Sequence, residues 1–413
     1  MKELLKKSLT DRCVWLVFVS LQVPALRAIF KYVPAGLLPC VPVVMVIIWL
    51  ACALLLGGAA VPEKVRRLLG RGWVLVLLLV AVAVASFLVY PVADALKEVG
   101  RGSGSDDALI IAGSRLIRGM HPYGERTYLG NPISAPPGMV LLALPFSVTG
   151  LYFLFTPALV LVAAVVLRWV SGGYTAANVF VLLMMTSLCF WELLVIGSDI
   201  PAVGLLFLVS VTVLWRLWPG TRWVGAGCVI LAVLCMHTRI VFAYMGIVMV
   251  IFLWGRDRAK SIRFAAYTVL AAAALHLAFF AWDPGGYTPL HLIGKGDYSL
   301  KPAMKMVAAV LCGITGLTMI LRVRDSVVSW LFYAWLCLIV PLGVLGLSVL
   351  ALLKYDVAGW EGANYIMLSA PLIVGAAVMR GRSGQDQPIR QAQGLRQDQH
   401  DSDKNDRTPG VYD

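Results

Sequence analysis

The feature that most constrains this chain is the long apolar run, repeated many times. Trp73–Tyr90 contains no charged residue, and comparable runs recur along most of the sequence. About 20 apolar residues wound as an α-helix cross a bilayer with every backbone group satisfied internally. Hydrophobic residues make up 60% of the 413 and charged residues 14%, against about 45–50% and about 25% in soluble domains. That balance excludes an ordinary soluble enzyme and a disordered chain alike. The runs predict an all-α polytopic membrane bundle with twelve spans, near 13–30, 38–60, 73–92, 150–170, 175–197, 200–218, 223–238, 240–254, 262–282, 302–321, 328–352 and 363–379. The pair 223–238 and 240–254 is short enough to be one broken helix. A further apolar piece, Gly138–Gly150, reads as a half-inserted or surface helix.

The net charge of +13 does not point to nucleic acid, because the cations lie between apolar runs, where they set topology. Alternating sides from a cytoplasmic N-terminus places 17 Lys and Arg inside and 7 outside, the long 92–137 loop set apart. This bias predicts cytoplasmic termini and two large outer segments, 92–137 and 283–301. The basic N-terminus is followed by an apolar stretch with no small-residue cleavage site, so it reads as a retained first span. The eight cysteines lie in or beside apolar runs and form neither a CxxC nor a Cys/His cluster, which predicts free thiols. The organisation expected is a hairpin and basic loop over 1–72, a main transmembrane domain over 73–379 and a disordered cytoplasmic tail over 380–413.

The outer loop 92–137 carries the chemistry-bearing residues. Ser105-Asp106-Asp107 opens a helix on the membrane surface, with Asp106 near the positive end of its dipole. Spacing sets Asp107, Ile111, Ser114 and Arg118 on one face, and Pro122, by restraining His121, is expected to end the helix. Adjacent carboxylates at a membrane surface can deprotonate an incoming hydroxyl and orient it or hold a cation. Asp in a first helical turn is equally a routine cap, so both readings stand at this point.

The run Asp106-Asp107…Arg115-Leu116-Ile117-Arg118-Gly119-Met120-His121-Pro122-Tyr123 resembles the first outer loop of GT-C-type membrane glycosyltransferases, in which an Asp precedes a helix and a Gly-x-x-Pro-Tyr. Ala135-Pro136-Pro137-Gly138 resembles their juxtamembrane Pro-Pro segment. Gly197-Ser198-Asp199-Ile200-Pro201 is similar to a polar outer turn of the family, and His237-Thr238-Arg239 looks like the place where many members keep a cation. Trp282-Asp283-Pro284 and Ala363-Asn364-Tyr365 resemble later outer-edge motifs. The chain departs from the family in having Leu109, Ile110 and Ile111 where many members have a Tyr, and in the hairpin that precedes the matched region.

The resemblance implies transfer of a pentose or hexose, such as arabinofuranose or mannose, from a polyprenyl-phosphate donor to a hydroxyl of a glycan, glycolipid or protein. This would occur on the outer face of a bacterial cytoplasmic membrane. It implies Asp106, or its neighbour Asp107, as the general base; spacing to Gly119 and Pro122-Tyr123 favours Asp106. Arg239, with His237, Lys295, Lys301 and Arg118 behind it, would face the departing phosphate. His121, Tyr123, Asp199, Glu192, Asn364 and Tyr365 would line the substrate site. No cofactor is implied beyond the donor, and a divalent cation is left open. Neither a P-loop nor a Rossmann fingerprint is present. Arg239 also fits a snorkelling interfacial anchor, Glu192 a carboxylate paired with a cation, and His276 a packed histidine. Lys354, Asp356 and Glu361 fit a local ion pair. The competing class is a transporter or flippase of a lipid-linked or polar solute, which would place ionisable residues or broken helices near mid-membrane.

Overall fold

The computed structural model describes residues 11–57, 61–99, 102–239, 242–290 and 301–380. Among these it is α-helical with no β-strand, only an isolated bridge between Arg126 and Pro132. The helices are α1 (Arg12–Tyr32), α2 (Val41–Leu56), α3 (Glu63–Leu69), α4 (Gly72–Ala95), α5 (Gly104–Ile117), α6 (Pro137–Val148), α7 (Phe155–Ser171), α8 (Tyr174–Met185), α9 (Leu188–Val195), α10 (Ile200–Leu217), α11 (Arg222–Met236), α12 (Met245–Trp254), α13 (Arg258–Trp282), α14 (Pro302–Arg322), α15 (Val327–Leu352) and α16 (Gly362–Arg380).

Among the described residues, nine helices are long and apolar enough to cross a membrane, and the bent pair α8–α9 makes a tenth span if counted as one. The chain is therefore a multi-pass helical bundle of membrane type. The run expected as one straight span over 175–197 is bent by 83° between α8 and α9. The break is chemically supported. Ser187 is extended, its hydroxyl donates to the Leu21 carbonyl at 2.6 Å, and the Gln22 amide donates to the Thr186 carbonyl at 3.4 Å. The Gln22 side chain of α1 thus satisfies the Thr186 carbonyl that the break would otherwise orphan, and the Ser187 hydroxyl at the break is itself satisfied by a carbonyl of α1. The short helices α11 and α12, 15 and 10 residues long, fall below span length, as does the 12-residue α6.

The core sits around α10 and α16. α16 has 89% of its span buried, whereas α14 has 11%, so α14 is peripheral and faces lipid. α10 packs on α7, α11 and α15. A Cβ at Gly204 of α10 would run into the Leu368 carbonyl of α16, so the absence of a side chain allows these two helices to approach, as small residues do between membrane helices. α1 lies on α9 and contributes Val14, Val17 and Leu21 to the same continuous core.

Polar contacts tie the helix ends into two levels. At one end, called lower, Arg380 meets Asp11 at 3.2 Å, Arg216 lies over Trp169, and Arg256 donates to the carbonyls of Trp215 and Trp218 at 2.7 and 3.2 Å. At the other, called upper, Arg27 meets Glu192 and Arg239 meets Asp199. Arg239 and Arg256 flank α12, so the α11–α12 pair is pinned to both ends of α10 despite its short helices. Trp73, Trp169, Trp223, Trp254 and Trp282 are exposed at helix ends, the arrangement of an interfacial aromatic belt. All eight cysteines are free; Cys40 and Cys312 are exposed rather than buried. Lys354 and Asp356 do not pair among the described residues. Asp356 instead accepts from the Ala358 N–H at 3.1 Å and holds the turn.

Candidate functional site

α5 begins where its sequence requires. Ser103 is extended and its hydroxyl accepts from the Ser105 N–H at 3.1 Å, a side-chain cap. Its end differs from the expectation. Gly119, at φ +70°, closes the helix before Pro122 is reached. The Met120 N–H bonds the Arg115 carbonyl at 3.0 Å and the Gly119 N–H bonds that of Leu116 at 3.1 Å, the paired bonds of a glycine-terminated helix. The Arg115 side chain then holds the following turn, donating to the His121 carbonyl at 2.7 Å and to Glu125 at 2.6 Å.

Asp106 and Asp107 are one residue apart and face different environments. Asp107 is consumed by structure: it accepts from the Tyr128 N–H at 2.7 Å and meets Lys97 at 3.4 Å, tying the far part of the loop to the helix. Asp106 points inward with Leu109 and Gly113 and is 1% exposed. Its Oδ2 accepts from the Tyr90 hydroxyl at 2.9 Å, and its Oδ1 is buried without a hydrogen-bond partner. Burial pushes this carboxyl up to about 7; the bonds from the Asp107 N–H and Tyr90 act against that rise. Gly197, at φ +73°, closes over it, where a Cβ would come 3.0 Å from Oδ2.

Gly197 leads into Asp199, the residue before α10. Asp199 accepts two bonds from Nη2 of Arg239, at 2.8 and 3.0 Å. Arg239 is mostly buried and lies over the Tyr365 ring at 5.8 Å, and its Nε is unpartnered. It is therefore held within the protein and is not a snorkelling anchor. Tyr152 joins the two carboxylates: its buried hydroxyl has no hydrogen-bond partner and lies within electrostatic reach of Asp199, Asp106, Tyr90 and Arg239. Six groups thus converge at the upper end, from α4, α5, the turns before α7 and α10, the turn after α11, and α16.

A row of rings flanks this cluster. His237, whose Nδ1 donates to the Val233 carbonyl at 2.7 Å, stacks on His276 at 4.3 Å. His276 is hydrogen-bonded to the Tyr287 hydroxyl. Tyr287 meets Tyr123 at 5.4 Å, Tyr123 meets His121 at 5.3 Å, and His121 meets Trp282 at 5.5 Å. His121 also donates to the Phe279 carbonyl at 3.2 Å, and the buried Tyr123 hydroxyl is unpartnered.

Glu192 is not part of either group. It binds Arg27 at 2.6 Å, accepts from Tyr32 at 3.2 Å and lies 3.8 Å from Lys31. Asn364 faces that side, accepting from the Cys189 thiol at 3.9 Å, while the adjacent Tyr365 faces Arg239. Arg118 is exposed at the far end of α5, about 18 Å along the axis from Asp106, and Lys301 caps α14 from an exposed position. Lys295 lies outside the described residues. Sequence reasoning missed Tyr90 and Tyr152. Their signal was a tyrosine at each upper span end beside the acidic loop. Among the described residues no group of three His, Cys, Asp or Glu side chains could hold a metal ion.

Comparison with protein-family models, curated proteins and solved structures gives no match.

Proposed function

We propose that this chain is a membrane glycosyltransferase that moves a sugar from a polyprenyl-phosphate donor to a hydroxyl acceptor at the upper end of the bundle. The observation that carries the reading is the buried Asp106, hydrogen-bonded by a neutral tyrosine and holding one free carboxylate oxygen. An ordinary aspartate is a weak base for a sugar hydroxyl. A carboxyl raised to about 7 is a better one at neutral pH and is still ionised in a useful fraction.

In this mechanism Asp106 Oδ1 accepts the acceptor's proton as the acceptor oxygen bonds the anomeric carbon. The bond from that carbon to the lipid phosphate breaks, most simply with inversion, and the phosphate leaves with its electron pair. Arg239 faces the departing phosphate. Asp199 holds its Nη2 pair of bonds and leaves Nε unused, so the guanidinium is oriented while donors are kept for an anion. Asp107 holds the loop. At the end of the ring row the exposed Trp282 offers a face for a sugar or a prenyl chain. Because Asp106 is 1% exposed and closed over by the turn at Gly197, the acceptor must displace that turn to reach it.

The charge bias assigns the upper end to the outer face, where a lipid-linked donor and not a nucleotide sugar is available. With the α11–α12 pair counted as two passes, the twelve-span arrangement returns both termini to the cytoplasmic side. A second reading, a transporter or flippase, draws support from the broken span α8–α9. Thr186 and Leu188 at that break line an apolar cavity of about 390 Å³, and broken helices at depth are a transporter feature.

The deciding experiment compares cells carrying wild type and Asp106→Asn at matched membrane levels, by mass spectrometry of envelope glycans, glycolipids and glycoproteins. Loss of one defined sugar residue supports the transferase. Unchanged glycans, with Arg239→Lys equally silent, would put the transporter reading ahead.

A further inference from the structure

The lower end carries a groove that the proposed chemistry does not use. It lies between α11 and α13, and its cavity volume is about 830 Å³. Both helices start at the lower level and run upward, so one end of the groove holds Arg222, Lys260 and Arg263 while its deeper wall is Ile230, Leu270 and Ala271. Eight residues of α11 separate Arg222 from Ile230, about 12 Å of rise. The groove is therefore cationic at its mouth and apolar along its length.

The charges are available. Lys260 meets Asp257 at 3.2 Å, and Asp325, the other acid nearby, is taken by Arg256. Arg222 and Arg263 have no carboxylate partner among the described residues and are exposed. The apolar wall is open too: Ile230 is 60% and Leu270 66% exposed. Trp218 lines the mouth, and Trp223 beside it is almost fully exposed, which sets the mouth at headgroup level.

We propose that this groove binds an anionic glycerophospholipid of the adjacent leaflet, with its phosphate between Arg222 and Arg263 and an acyl chain along Ile230, Leu270 and Ala271. Charge complementarity selects an anion, since basic pockets between membrane helices hold acidic headgroups. The charged-to-apolar axis selects a lipid over a soluble anion or a protein segment, because only an amphiphile satisfies both ends. The site lies at the opposite end of the bundle from Asp106, so it holds whether or not sugar transfer is the reaction.

The test uses the full chain, purified and delipidated in detergent. Native mass spectrometry measures binding of phosphatidylglycerol and of phosphatidylcholine with the same acyl chains. Wild type is expected to bind phosphatidylglycerol at least about tenfold more tightly, at roughly 1 kcal/mol for each cation near the headgroup. Arg222→Gln with Arg263→Gln should abolish that preference. Ala271→Trp, which fills the apolar wall and keeps every cation, should also weaken phosphatidylglycerol binding; Leu270→Glu serves where that variant does not purify. Equal affinity for both lipids, a preference that survives the double Gln variant, or wild-type binding by the filled groove would each overturn the proposal. So would glycerol phosphate competing as well as the whole lipid, because that places the affinity in the anion alone.

Discussion

Two of the buried carboxylates at the upper end of the bundle, Glu192 and Asp106, are kept in opposite ways. Glu192 is 5% exposed and Asp106 is 1% exposed, so burial does not distinguish them. Their partners do. Glu192 is met by Arg27, Lys31 and Tyr32, so its charge is matched inside the protein. Each keeps one oxygen unpartnered, but Asp106 is met only by neutral donors, the Tyr90 hydroxyl and the Asp107 N–H. The cations beside Glu192 spend it on structure. A buried carboxylate without a cation beside it holds its proton more tightly and becomes a better base. The first arrangement fastens α1 to α9; the second is what proton transfer requires.

Four measurements would break or sharpen that contrast. The largest effect is expected on turnover. Asp106→Asn should lower sugar transfer by about 10²–10⁴-fold, the span of one positioned base, while Glu192→Gln leaves it within a few-fold. Transfer from a polyprenyl-phosphate donor by the purified protein reads both. Equal losses would remove the distinction.

The next effect is on stability and should run the other way. Glu192→Ala leaves Arg27 buried without its partner and should cost about 3–5 kcal/mol, the usual penalty for half of a buried pair. Asp106→Asn should cost little and stabilise the fold at alkaline pH. The sign follows from linkage. With its folded pKa at about 7 against the ordinary aspartate value of 3.8, Asp106 keeps a proton in the folded state that it releases on unfolding between about pH 4 and 7. Stability therefore falls as pH rises through that window. Thermal unfolding in detergent at pH 5 and pH 8 should show this fall for wild type and a smaller one for Asp106→Asn.

A third, smaller effect is the pH profile of transfer. kcat/KM should climb as Asp106 ionises, with its acid limb near pH 7, and Asp107→Asn, which removes a neighbouring negative charge, should move that limb slightly downward while loosening the loop bonded at Tyr128. The smallest effect belongs to Tyr90→Phe. Its hydroxyl favours the ionised carboxylate, so its loss should move the acid limb upward and cost about 0.5–1.5 kcal/mol, one hydrogen bond. An unmoved limb would separate the profile from Asp106.

Much of the architecture was legible beforehand. The span-length helices α1, α2, α4, α7, α10, α13, α14, α15 and α16 all fall on expected apolar runs, since in lipid length and apolarity alone demand a helix. The break in α8–α9 was not legible. Thr186 and Ser187 read as ordinary polar residues in a run until Gln22 and the Leu21 carbonyl, more than 160 positions away, supply their partners. The end of α5 at Gly119 was open to reading from the glycine itself. The expectation favoured Pro122 because a restraint on backbone angles is easier to see in a sequence than a left-handed turn.

The division in the site has the same origin. Composition and spacing by themselves determined a membrane helical bundle, a polar loop between two apolar runs, and a helix that opens on two adjacent acids. These are local properties, set by side-chain polarity and backbone geometry over a few turns. Only the tertiary structure decided what each acid became. It turned Asp107 toward Lys97 and Tyr128, and it closed Asp106 under Gly197 beside Tyr90. It set Arg239 on Asp199 and left Glu192 to Arg27. The basicity of a carboxylate depends on the charges and solvent within a few ångströms of it, and folding brings those neighbours from helices far apart in the chain.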